Sequence, residues 1–142
     1  MRFPVIFVTF ILIGFFFFYG FYRKEEDTKR YLVNLDLKMR GVLLTSPDCQ
    51  NGFNGFCILN VRVIKGNIRY YNPVGKENAY FAEIKNDTAL LFQDGVGNLK
   101  KGDTIIVDTK AQSITCNGLR YSILLNDDYR FYNYVNKNYS LF

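Results

Sequence analysis

The chain has 142 residues, 49% of them hydrophobic and 18% aromatic, with a formal net charge of +5. That length holds one domain rather than two, and the mild positive excess falls short of the clustered basic face of a dedicated nucleic-acid binder. Histidine is absent, which removes the commonest metal ligand and the commonest proton-transfer group near neutral pH.

Between Phe3 and Tyr22 the sequence reads FPVIFVTFILIGFFFFYGFY, without a charged residue. About 20 helical residues rise roughly 30 Å, the thickness of a hydrocarbon core, and this run is apolar on every side instead of along one stripe. Pro4 is tolerated in a first turn; Tyr19 and Tyr22, then Arg23 and Lys24, resemble an interfacial belt with a charged stop. The expectation is a single uncleaved transmembrane helix. A cleavable signal would end in small residues, and this run ends in Phe, Tyr, Gly, Phe and Tyr. Arg23, Lys24, Lys29 and Arg30 after the run favour a cytoplasmic domain by charge. The short N-terminal tail and the cysteine spacing favour the opposite, extracytoplasmic side, which is the expectation adopted. Residues 1–30 are accordingly an anchor helix with a charged linker, and residues 31–142 a β domain.

From Leu32 the sequence LVNLDLKMR alternates apolar and polar residues with strand period, although its Leu, Lys, Met and Arg would also extend a helix. Gly41 breaks the pattern before a strand at Val42, Leu43 and Leu44. Residues 58–64 alternate Leu59, Val61 and Val63 against Asn60 and Arg62, and a Lys65-Gly66-Asn67 turn leads into residues 68–71. Strands at 80–84 and 89–92 are joined through Asn86-Asp87, and Gly102-Asp103 feeds a strand at 104–107. Asn117-Gly118 between 113–116 and 119–124 is a strong hairpin signal, and an aromatic strand is expected at 129–135. Short strands at this spacing predict an all-β domain, a small OB-like barrel or a sandwich.

The segment LKKGDTIIVD, and within it Gly102, Asp103, Thr104, Ile105 and Ile106, resembles small uncharacterised bacterial proteins with one N-terminal membrane helix and an OB-like β-barrel. The resemblance covers about half of the domain. It implies the barrel and supplies no activity.

Cys49 and Cys57 bracket CQNGFNGFC, a loop flexible enough for a disulfide; two free core thiols are the alternative, and zinc lacks its four ligands. Cys116 reads as a small buried hydrophobe. Gly95, Gly97 and Gly102 lack the helix and Lys of a phosphate loop. Asp-Thr pairs at 87–88, 103–104 and 108–109 lack the glycine of an aspartic protease, and Ser46-Pro47 does not match a Ser/Lys peptidase. No catalytic residue, cofactor or metal is expected, and the chain is read as a non-enzyme.

The function expected is a membrane-anchored interaction module that meets the bilayer through its helix and an unspecified protein or envelope component through its β domain. Recognition is placed on loops of the barrel: Phe53 and Phe56 after Asp48, with Arg69, Tyr71, Lys76 and Tyr80. The alternative is a cytoplasm-facing oligonucleotide-binding barrel, in which those basic and aromatic residues would stack bases and bind phosphates.

Overall fold

The computed structural model describes residues 3–49, 55–73, 80–125, 129–139 and 141–142, with side chains from Val8 onward in the first helix. Helix α1 spans Phe3–Leu35. Eight strands follow: β1 (Lys38–Leu43), β2 (Phe56–Gly66), β3 (Tyr70–Tyr71), β4 (Ala82–Lys85), β5 (Thr88–Asp94), β6 (Thr104–Asp108), β7 (Ser113–Cys116) and β8 (Leu119–Ser122). Helix α2, Tyr129–Asn138, comes last.

The strands form one antiparallel sheet in the order β3-β4-β5-β2-β1-β6-β7-β8. It is open, which corrects the closed barrel and the sandwich expected from strand spacing. No ladder joins the two ends. Gln93 Nε2 of β5, two strands in from the β3 edge, donates to the carbonyl of Ser122 on the edge strand β8 at 3.0 Å.

The concave face of this curled sheet holds the main core, including Leu43, Leu59, Val61, Leu91, Ile105, Val107 and Ile114. The period-2 burial of β1 and β6 follows directly from their alternating sequences. Gly41 lies inside β1 instead of ending it: a Cβ there would stand 2.4 Å from Val61 Cγ1 and 2.5 Å from the Arg62 carbonyl. Turn chemistry behaves as its residues dictate. Asn117 and Gly118 take φ of 48° and 86°, the left-handed pair that a tight hairpin needs.

The last turn of α1 plugs one end of the sheet. Leu32 is fully buried, with Tyr31 and Leu35 packed beside it. Asp36, at φ 46°, ends the helix, and its N–H donates to the Leu32 carbonyl. Leu37 then exchanges hydrogen bonds with Thr109, its N–H to Oγ1 at 2.8 Å and its carbonyl from the Thr109 N–H at 3.0 Å. Both readings of residues 32–40 are therefore half right, helix to Leu35 and strand from Lys38.

Among the described residues, no helix is long and apolar enough to cross a membrane, which corrects the single-pass transmembrane anchor expected between Phe3 and Tyr22. Over the residues with described side chains, the apolar run covers 8–22, about 22 Å of helix against roughly 30 Å of hydrocarbon. The helix then turns charged through Arg23, Lys24, Glu25, Glu26 and Asp27. Taken whole it is amphipathic along its length: exposed aromatic residues, a charged middle, and a final turn buried in the sheet.

The aromatic strand expected at 129–135 is instead α2. Phe131, Tyr132 and Val135 fall on one helical stripe and cover Ile58, Leu90 and Phe92 on the convex face of β2 and β5. Phe131 meets Phe92 edge-on at 5.5 Å between centroids.

Candidate functional site

The cysteines of the 49–57 loop are joined: Cys49 and Cys57 form a disulfide. Disulfides persist in oxidising compartments, so the pair hints at an extracytoplasmic location. Cys116 is buried and unbonded, and burial pushes its thiol up to about 11.

The disulfide belongs to a latch around Asp48. The backbone of Asp48 bridges to Ile58 of β2, while its Oδ2 accepts hydrogen bonds from the Tyr134 and Tyr139 hydroxyls at the end of α2. The bond to that carboxylate holds the Tyr139 phenol well above the ordinary tyrosine range. Asp48 thus ties β2 to α2.

The described residues among those expected to form a recognition surface sit in different surroundings. Phe56 is half-buried against Phe131, 6.2 Å between centroids. Tyr80 is buried, its ring stacked on Tyr132 at 4.0 Å. Tyr71 packs toward the main core and shares a hydroxyl hydrogen bond with Tyr31. Arg69 is exposed near the turn before β5. Phe53 and Lys76 lie outside the described residues.

Glu83 of β4 is 1% exposed on the convex face. The Leu141 N–H donates to its carboxylate, Oε2 has no partner, and burial raises its pKa. Lys85 Nζ donates to the Leu141 carbonyl at 2.7 Å, and the Phe142 ring sits edge-on to Tyr70 at 4.9 Å. The chain end is therefore a strap over β3 and β4. No His, Cys, Asp or Glu cluster able to hold a metal occurs among the described residues.

A basic face emerges from the register, and sequence reading missed it. Among the described residues, no helix packs over the outward side chains of β1, β6, β7, β8 and the second half of β2. Cross-strand pairing sets Lys65, Arg40, Ile106, Thr115 and Arg120 in one lane over five strands, with Arg62 beside Val42 in the next. Arg40, Arg62, Lys65 and Arg120 are exposed and form no ion pair among the described residues. The outward acid there, Asp108, is held by Lys38 at 3.3 Å. A groove of about 380 Å³ runs between Lys38, Arg40, Lys65, Asn67 and Ile106. No family model, curated protein or solved structure matches this chain.

Proposed function

We propose that the chain is a non-enzymatic interaction module held at a lipid surface by the aromatic section of α1. One observation carries this reading. Phe10, Phe15, Phe16, Phe17, Phe18 and Phe21 are all exposed, up to 80% at Phe18, although the sheet fills its own core on both faces. A contiguous apolar patch of that size marks an interaction or membrane surface.

Lipid is the occupant favoured by what borders the patch. Tyr19 lies in its last turn, Tyr22, Arg23 and Lys24 follow it directly, and the Arg23 guanidinium stands 5.7 Å over the Tyr19 ring. Amphipathic rings next to cations suit the headgroup level. Absence of histidine supports a binding role over proton-transfer chemistry. Tethering then raises the local concentration of the sheet domain at the surface without any further contact.

Flotation of the full chain with zwitterionic vesicles tests this. Each phenylalanine moved into lipid contributes about 1.5–3 kcal/mol, so the wild type should float and F15S/F16S/F17S/F18S should stay with the buffer. A detergent-free monomer in buffer overturns the reading. A soluble oligomer also overturns it, and assigns the patch to copies of the chain.

A further inference from the structure

We propose that the uncovered convex half of the sheet binds a flexible polyanion of the phosphate-repeat class, laid across the strands along the lane from Lys65 to Arg120. This inference stands independently of how α1 is covered, because it uses only the sheet.

Charge complementarity is the first support. Arg40, Arg62, Lys65 and Arg120 form no ion pair among the described residues, and the neighbouring Asp108 is occupied by Lys38. Outward on these strands, among the described residues, stand Arg40, Arg62, Lys65 and Arg120, with Lys38 already paired to Asp108. Three of them are arginines, whose planar forks suit phosphate oxygens.

Shape is the second. Strands lie about 4.8 Å apart, so the lane over β2, β1, β6, β7 and β8 runs roughly 19 Å. That is a track for an extended chain, too long for a single small anion. Val42, Ile64 and Ile106 stand between the cations, the latter two exposed, and give the polymer's backbone an apolar footing.

The third support selects among polyanions. Among the described residues, no aromatic ring is on the outward side of this half-face: Tyr121 of β8 packs inward, opposite Ile114. Single-stranded nucleic acids take much of their affinity from base stacking on aromatic platforms. A face of cations without rings favours a chain that has charge and no bases. The other half of the convex face is closed by α2 and by Leu141 and Phe142, whereas no described residue outside the sheet covers this half.

The test measures fluorescence anisotropy of labelled long-chain inorganic polyphosphate with the full chain in zwitterionic micelles. Four phosphate contacts predict a log K against log salt slope of about −3, at about −0.7 per contact. R40E/R120E should weaken binding at least tenfold at 100 mM salt, and R40Q/R120Q should flatten the slope by about half; near-UV circular dichroism checks that each variant is folded. K100E/K101E changes the net charge equally on an exposed turn away from the lane and should lose less than twofold. The inference is overturned by equal losses in the two charge-reversal variants or by salt-independent binding. Tighter binding of a single-stranded oligonucleotide of matched charge also overturns it, and assigns the face to nucleic acid.

Discussion

Opening the Cys49–Cys57 bridge gives the sharpest test of how the domain is held. The bonded residues are eight apart in sequence, and closing so short a loop removes about 2.5 kcal/mol of unfolded-state entropy at room temperature. For a domain of this size, with a urea m-value near 1.5 kcal/mol/M, that corresponds to a midpoint about 1.7 M lower on reduction. C49A/C57A should match reduced wild type, since alanine leaves no polar atom at the buried Cys57 site. With no Trp in the chain, tyrosine fluorescence and near-UV circular dichroism are the readouts, and they are informative ones. Asp48, next to the bridge, holds the Tyr134 and Tyr139 hydroxyls, so loosening the loop should diminish the tyrosine signal below the main transition. Coincident oxidised and reduced midpoints, or free thiols at both positions in protein taken from an oxidising compartment, would refute the reasoning.

Phe131→Ala should cost about 3–5 kcal/mol, because the ring is 1% exposed and anchors α2 to Phe92 and Phe56; Asn136→Ala on the exposed side of the same helix should stay within about 0.5 kcal/mol, and equal effects in urea unfolding would disprove the docking. Glu83 has a folded-state pKa raised by burial, so the protonated form is bound more tightly when folded. Its contribution is fully present below the unfolded carboxyl pKa and is lost as pH rises through the folded value. Glu83→Gln should remove that dependence and leave stability at neutral pH unchanged or higher; a large loss at neutral pH would show that the carboxylate is needed charged.

The strands and turns were legible where the determining chemistry is local. Asn117-Gly118 adopts the paired positive φ of a hairpin, and the alternation of Leu59, Val61 and Val63 marks the inward side of β2. Gly41 misled for a tertiary reason, since its lack of a side chain answers the approach of Val61 and Arg62 from β2. Helix α2 misled for a similar one. Its aromatic residues alternate like a strand, yet the surface that selects a helix, Ile58 with Leu90 and Phe92, exists only once β2 pairs with β5. Strand spacing alone could not separate a barrel from an open curl, because closure depends on whether the end strands meet in register. The basic lane draws on residues 40, 62, 65 and 120, and no local pattern joins them before the register does.

The joint between the two ends of α1 has a mechanical consequence. From Arg23 to Leu35 the helix contains neither glycine nor proline, and its last turn is wedged into the sheet by Leu32 and locked through Thr109. The sheet is therefore carried on a stiff stalk roughly 20 Å long, not on a swivel. Tilting the aromatic end tilts the cationic lane by the same angle, so whatever fixes one fixes the direction from which the other can be approached. Two glycines inserted after Glu26 would uncouple them while leaving both surfaces chemically unchanged.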